Sequence, residues 1–181
     1  MATYVGTMYT SANGTSTWEL GGSGAGGDPI RLYLWNCYHR RSVAAAVMDN
    51  TDSWTYNSTT PRSRDANTNN RASAIFGLAE DVVECSVPAR GQSSTSGFIG
   101  VAGVGLDSTS SSTHDYRIDR HASISGSNQA HVSLASYARI PALGHHFWQA
   151  LESCDGAETV TFYGDIGGSV SYPSMMFKGM F

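Results

Sequence analysis

Imidazole side chains are the groups in this sequence whose spacing most suggests metal chemistry. His145 and His146 are adjacent, and His114, His121 and His131 lie shortly before them. Neighbouring side chains of a β-strand point to opposite faces, so the adjacent pair cannot easily share one ion. A site formed by His131 with one of the pair is the metal hypothesis, and polar residues of an edge strand are the alternative. We favour the alternative and predict no metal.

Carboxylates are the second group that could carry chemistry, and they too lack a signature. Four could pair as in a glycosidase, although a sequence does not give their separation; they are Glu80, Glu84, Glu152 and Asp165. Four loop aspartates lack the spacing of an EF-hand; they are Asp49, Asp52, Asp65 and Asp107. There is no GxSxG motif and no cysteine in a nucleophile setting. We therefore predict no enzymatic activity, no catalytic residues and no cofactor.

The best candidate for contact with a ligand or subunit is the polar stretch 57–71 and the residues just before it. Trp54 and Tyr56 precede the stretch and could stack on a sugar ring. Arg62 and Arg64 lie within it, and loops of this length often have a function. Contact with a neighbouring subunit or with an acidic glycan is the functional interpretation, and a solvated surface loop is the alternative.

Composition limits the classes of partner. The net charge is −4 and the pI about 5.8, which argues against an electrostatically driven nucleic-acid binder. Lys178 is the only lysine among 11 basic residues. This bias towards arginine is typical of buried protein–protein contacts, and a GC-rich genome would produce it as well.

Cysteine usage and apolar runs predict where the protein is made. Cys37, Cys85 and Cys154 are far apart and form no CxxC spacing, so we expect three reduced core thiols. The first ten residues have neither the basic nor the apolar part of a signal peptide. No apolar run approaches the length of a membrane span, so we expect assembly in a cytoplasm without membrane association.

Alternating apolar residues predict a chain that is almost entirely β. Asp155–Gly156 separates predicted antiparallel strands at 145–153 and 159–164, and an Asp-Gly pair favours a hairpin. A short helix over 145–152 is the alternative for the first strand. Residues 30–38 predict a strand with two apolar faces, central in a sandwich or at a subunit contact. Further strands are predicted at 74–87, 98–106 and 130–140, with a turn at 88–97.

About eight to ten strands joined by polar loops are best arranged as an all-β, antiparallel β-sandwich, of jelly-roll type. The Gly-rich segment 21–27 is predicted to be a flexible link, which divides the chain into an N-terminal arm at 1–27 and a sandwich domain at 28–181. The apolar C-terminus must pack as a last strand or dock on a partner. It predicts a homo-oligomer, most simply a trimer, with Phe177 and Phe181 as candidate contacts.

Several phrases of the sequence carry a resemblance to a known family. They are LWNCYHRR, DNTDSWTYNSTTPRSRDANTNN, GLAEDVVE, VGLDSTS, GHHFWQALES and TFYGD, in that order. With these phrases the chain resembles a family of tailed-bacteriophage proteins that are usually described as virion or tail proteins. None of the phrases is a catalytic signature.

The resemblance implies a non-enzymatic structural protein of a tailed phage particle. Such a protein would reside in the virion, contact other virion proteins and decorate or extend the head or the tail. The alternative is a receptor-binding module that recognises a host surface polysaccharide, for which Trp54 and Tyr56 are the best contacts. A depolymerase is a third and weaker hypothesis.

Overall fold

The structure, a computed structural model, describes residues 3–93, 100–113, 116–118, 129–165, 167–168 and 172–181. These residues form strands and one short 3-10 helix, and they contain no α-helix. The all-β prediction is therefore confirmed. No helix of the described part is long and apolar enough to cross a membrane.

Fifteen strands follow one another along the described chain. The first eight are β1 (Gly6–Met8), β2 (Trp18–Gly24), β3 (Asp28–Leu32), β4 (Leu34–Asn36), β5 (Ser42–Asp49), β6 (Ser53–Tyr56), β7 (Arg62–Ser63) and β8 (Arg71–Phe76). The others are β9 (Val83–Ser93), β10 (Gly100–Leu106), β11 (Tyr116–Ile118), β12 (Gln129–Arg139), β13 (Gly144–Cys154), β14 (Val160–Tyr163) and β15 (Pro173–Met180). The 3-10 helix, Arg64–Ala66, directly follows β7.

The strands form two layers that share β2. One layer has the order β10-β13-β8-β3-β2, with β7 beside β13. The other has the order β2-β5-β15-β9-β12-β11, with β14 beside β9 and β6 beside β14. All pairs are antiparallel except β2–β5 and β3–β8. The arrangement is a β-sandwich with a mixed strand pattern, and β1 and β4 form a separate small sheet.

A group of rings, the aromatic centre, fills the space between the layers: Phe76, Tyr137, Trp148, Phe177 and Phe181. All five are buried. The centroid of Trp148 lies 5.9 Å from Phe76, 5.9 Å from Tyr137 and 5.2 Å from Phe177. Phe76 and Trp148 come from β8 and β13 of one layer, whereas Tyr137 and Phe177 come from β12 and β15 of the other. The apolar C-terminus thus forms the last strand, one of its two predicted outcomes.

The predicted strands around Asp155–Gly156 exist, but they do not form a hairpin. β13 pairs with β7, β8 and β10 in one layer, whereas β14 pairs with β6 and β9 in the other. Gly156 has the positive φ of 77° that a turn requires. The Asp155–Gly156 pair therefore correctly predicted a turn between two strands. It did not predict the strand partner, because a local turn signal does not indicate which sheet the next strand joins.

Three further local predictions were wrong. The predicted turn at 88–97 is strand up to Ser93, and residues 30–38 contain two strands that belong to different sheets. The Gly-rich segment 21–27 is not a free link, because β2 extends to Gly24 and lies between β3 and β5. Glycine is needed at Gly21, where a Cβ would lie 2.5 Å from the carbonyl oxygen of Ala46. The boundary between an arm and a sandwich domain stays a prediction.

A candidate site at the polar end of the sandwich

One end of the sandwich is lined mainly by buried and half-buried side chains that carry polar groups. We call this group the polar end; its members are Asp49, Trp54, Arg62, Arg64, Asn70 and Glu152. They come from both layers and from the 3-10 helix between β7 and β8. Four of the six are buried, namely Asp49, Arg64, Asn70 and Glu152. The group contains three of the four residues predicted as ligand contacts in and before the stretch 57–71.

Glu152 is the carboxylate at the middle of the polar end, and it is only 1% exposed. Its Oε1 accepts a hydrogen bond from the Nε of Arg62 at 2.9 Å, and the Nη2 of Arg62 forms an ion pair with the same oxygen at 2.8 Å. Its Oε2 accepts a hydrogen bond from the indole N–H of Trp54 at 2.7 Å. Burial raises the pKa of Glu152, and the donors from Trp54 and Arg62 oppose that rise. Both carboxylate oxygens therefore accept hydrogen bonds from side chains of the same chain.

Arg64 joins the two layers from the 3-10 helix. Its Nη1 donates to the carbonyl oxygen of Pro88 in β9, and its Nη2 donates to that of Tyr163 in β14 at 2.9 Å. The guanidinium carbon lies 5.4 Å from the centre of the Trp54 ring. Burial lowers the pKa of Arg64, and the charge of Glu152 opposes this effect. The buried guanidinium thus links the 3-10 helix to β9 and β14 through two backbone carbonyls, whereas its Nε has no hydrogen-bond partner among the described residues.

Asp49 anchors the loops at the polar end. One of its oxygens accepts the backbone N–H groups of Gly26 at 2.9 Å and Thr51 at 3.0 Å. The other accepts the side-chain amide of Asn70 at 2.8 Å. Gly26 has a φ of +76°, and a Cβ there would meet the side chain of Asn67. The glycines predicted to be a flexible link therefore form a tight turn that places a backbone donor on Asp49.

The predicted contacts Trp54, Tyr56, Arg62 and Arg64 are brought together, but their polar groups are used within the protein. The guanidinium of Arg62 lies 3.9 Å from the centre of the Tyr56 ring, and the Tyr56 hydroxyl donates to the carbonyl of Thr60 at 2.6 Å. Trp54 stacks on Phe162 with a centroid distance of 6.4 Å. These contacts describe a stabilising cluster better than an open ligand platform.

The two other predicted contacts lie inside the molecule. Phe177 and Phe181 are 2% and 4% exposed and belong to the aromatic centre, where their centroids are 6.1 Å apart. Neither side chain is available to a partner in this conformation.

The adjacent histidines point to opposite faces of β13, as predicted. His145 stacks on Tyr9 with a centroid distance of 4.1 Å, whereas the Nδ1 of His146 lies 2.7 Å from a carboxylate oxygen of Asp107. Burial lowers the pKa of His145. Within the described residues, no three His, Cys, Asp or Glu side chains are grouped to hold a metal. His114 and His121 lie outside the described residues.

From the sequence, Glu152 was considered as a catalytic carboxylate and Asp49 as a calcium ligand. Their structural role was not predicted. A signal was available for Glu152, because it follows Trp148 and Ala150 at every second position of one strand. A carboxylate on a core-facing row must find a donor, since an unpaired buried charge is very costly. No comparable signal marks Asn70, whose role depends on the way the stretch 57–71 folds back on β13.

A cavity of about 330 Å³ adjoins the polar end. It lies between β10, the end of β13 and the segment before β7, and its lining includes Thr59, Pro61, Leu151 and Ser153. Glu152 contributes to the wall, but both of its oxygens already accept hydrogen bonds from Arg62 and Trp54. The polar end therefore contributes to this cavity no charged group that lacks a partner within the protein.

Comparisons with known proteins supply no relative from which a role could be transferred. No family model, no curated protein and no solved structure matches this chain.

Proposed function

We propose that this chain is a non-enzymatic structural protein of a tailed bacteriophage particle. It forms a homo-oligomer, most simply a trimer, and decorates or extends the head or the tail in contact with other virion proteins. The phage origin rests on the resemblance of the sequence phrases. The structural role rests on the surface described next.

The observation that supports a structural role is a group of exposed apolar side chains near the N-terminus. We call it the N-terminal apolar surface; it comprises Met8, Trp18, Leu20 and Leu34, which are 58%, 45%, 49% and 51% exposed. Met8 and Leu34 are opposite each other in the pairing of β1 with β4. Trp18 and Leu34 line the same cavity, of about 340 Å³. Contiguous apolar surface of this kind marks contact with another protein.

This surface takes over the role that the sequence assigned to the C-terminus. Phe177 and Phe181 pack in the aromatic centre, whereas Trp18 lies at the edge of that packing, 6.3 Å from Phe181 and still half open to solvent. Because β2 is part of both layers, an attachment through Trp18 and Leu20 would transmit force directly into the sandwich. That suits a protein that is fixed to a particle.

The receptor-binding alternative gains no support from the geometry. The indole N–H of Trp54 and the hydroxyl of Tyr56 are both donated to groups of the same chain. A polysaccharide would have to replace these bonds before either residue could offer its polar group to a sugar.

Sedimentation of surface variants tests the proposal. We expect the wild-type chain to sediment as a trimer at micromolar concentration and the double variant Trp18→Ser, Leu34→Ser to sediment as a monomer with unchanged circular dichroism. Val132→Ser, which removes an equally exposed apolar side chain of β12, is the matched control and should remain oligomeric. A stable wild-type monomer, or an oligomer unaffected by the double variant, would contradict the assignment of this surface.

The location of the protein in purified particles tests the phage role itself. Mass spectrometry should find the chain in the virion. Hundreds of copies would indicate decoration of the head, and a few copies set by the tail symmetry would indicate a tail protein. Absence from purified particles would overturn the proposed function.

A further inference from the structure

The cavity beside the N-terminal apolar surface combines apolar walls with a positive charge. Its lining includes Trp18, Leu34 and the buried ring of Phe181, together with the exposed side chains of His39 and Arg41. The Nη2 of Arg41 lies 3.0 Å from the Nε2 of His39. Among the described residues, no carboxylate forms an ion pair with Arg41. The cavity therefore suits an apolar group that is accompanied by a negative charge.

The loop at 77–82, between β8 and β9, has the complementary properties. Leu78 and Val82 are 40% and 48% exposed. Glu80 and Asp81 lie between them, and both pair with Arg40, whose Nη1 is 2.6 Å from the Oε1 of Glu80. One guanidinium charge offsets only one of two carboxylates. The loop thus presents two aliphatic side chains next to negative charge that its own arginine does not balance.

A ring of three identical chains needs two different surfaces on each chain. A trimer has no two-fold axis, so each contact joins one surface of a copy to a different surface of its neighbour. The loop and the cavity flank the same short segment, because Arg40 holds the loop whereas His39 and Arg41 line the cavity. Copies arranged around an axis near this segment can therefore each give one such contact and receive another.

We propose that the loop at 77–82 of one copy docks into this cavity of a second copy, and that the contact repeats until the ring closes. Leu78 and Val82 enter the cavity, and Asp81 faces Arg41. A cavity of roughly 150 Å³ already admits a benzene-sized group, so a volume of about 340 Å³ accommodates aliphatic side chains. The inference rests on the proposed function, since it names what the N-terminal apolar surface binds.

Other exposed apolar side chains fit the cavity less well. Ile140 and Leu143 are 52% and 61% exposed, but residues 138–146 contain no acidic side chain. Leu20 has an acidic neighbour, Glu19, whose carboxylate is already paired with Arg31 of the same chain. The loop at 77–82 combines exposed aliphatic groups with negative charge in excess of its own arginine, and this combination matches the charge of the cavity.

Sedimentation of the full chain with the double variant Leu78→Ser, Val82→Ser tests the contact. We expect the variant to sediment as a monomer, with unchanged circular dichroism, at a concentration where the wild type is a trimer. The double variant Val132→Ser, Met176→Ser removes two comparably exposed apolar side chains from β12 and β15 and should remain trimeric. Dissociation of this control would indicate a general loss of apolar surface and would contradict the assignment.

Charge variants test the pairing of the loop with the cavity while the apolar groups stay in place. Arg41→Asp should raise the concentration needed for half-maximal assembly roughly tenfold, because it places two carboxylates opposite each other. Addition of Asp81→Arg to the same chain exchanges the two charges in every copy and should restore most of the assembly. Glu80 keeps its pairing with Arg40 in both variants.

The outcomes separate this inference from the proposed function. If Trp18→Ser, Leu34→Ser dissociates the wild-type oligomer but Leu78→Ser, Val82→Ser does not, the loop is not the occupant of the cavity and the proposed oligomer still stands. An exchange of charges that fails to restore assembly would overturn the pairing in the same way. A wild-type monomer would overturn the proposed oligomer and this contact together.

Discussion

The aromatic centre is fully buried and the polar end is buried for the most part, but the two are held together in different ways. At the centre, Trp148 contacts rings from both layers, with centroids 5.2–5.9 Å apart. At the polar end, Arg64 and Glu152 connect the layers through hydrogen bonds of fixed direction. Contacts between rings tolerate small shifts, whereas each buried hydrogen bond has a particular partner.

This difference teaches where the fold obtains stability and where it obtains a unique arrangement. Burial of apolar area stabilises the centre in proportion to the area removed from water. A buried ion network contributes little net stability, because desolvation offsets its attraction, but a broken one is costly. We infer that the centre provides most of the stability and that the polar end fixes how the loops meet the layers.

Removal of the central ring should have the largest effect. Trp148→Ala would leave a cavity between Phe76, Tyr137 and Phe177, and we expect the free energy of unfolding to fall by about 3–5 kcal/mol. Urea unfolding followed by circular dichroism measures this loss.

Trp148→Phe is the matched control for the cavity. It keeps a ring in the centre and removes an indole N–H that has no hydrogen-bond partner, so we expect a loss of only about 1 kcal/mol. If the alanine variant lost no more than the phenylalanine variant, the centre would not be the main source of stability.

Removal of the buried cation should have the next largest effect. Arg64→Met keeps the length of the side chain but leaves the carbonyls of Pro88 and Tyr163 without their donors. We expect the free energy of unfolding to fall by about 3 kcal/mol, measured by urea unfolding.

Arg64→Lys tests whether charge alone is sufficient. A lysine keeps the positive charge but not the planar fork that reaches two carbonyls at once, so it should recover only part of the loss. Full recovery by lysine would show that the charge, and not the directed bonds, holds the layers at this end.

The strands that form the aromatic centre could be predicted from the sequence better than the centre itself. The Asp155–Gly156 pair and its neighbouring residues predicted strands at 145–153 and 159–164, and both exist. The apolar C-terminus forms a strand, one of its two predicted outcomes, but Phe177 and Phe181 were predicted as partner contacts and are buried. The partner of each strand could not be predicted, as the Asp155–Gly156 turn shows. Sheet pairing is decided by distant residues that no local spacing reveals.

The polar end could be predicted only in part. The sequence singled out Trp54, Tyr56, Arg62 and Arg64, and they do meet. The hydrogen bonds that join three of them, Trp54, Arg62 and Arg64, to Glu152, Pro88 and Tyr163 span 24 to 99 positions. The prediction of a flexible link from the Gly-rich segment was also wrong. The backbone N–H of Gly26 donates to Asp49 in a tight turn, and glycine content alone does not distinguish such a turn from a flexible segment. Long-range hydrogen bonds of this kind leave no periodic trace in a sequence.

The smallest expected effect is a dependence of the free energy of unfolding on pH. It reports whether burial of Glu152 or its pairing with Arg62 dominates at the polar end. Burial raises the pKa of Glu152 above its ordinary value in the folded state. The folded protein therefore binds a proton more readily than the unfolded chain, and stability from this group is greatest at low pH and is lost as pH rises through the raised pKa. Glu152→Gln cannot titrate, so it should lack this dependence.

Urea unfolding between about pH 4 and pH 7 makes the comparison, with the surface variant Glu80→Gln as a control for the loss of one charge. The stability lost in Glu152→Gln should be larger at the acidic limit than at neutral pH, because only the wild-type carboxyl group gains from protonation in the folded state. The opposite slope would mean that pairing with Arg62 outweighs burial. The polar end would then stabilise the fold as an ordinary ion pair does. The two regions would differ in how much stability they contribute and not in whether they contribute any.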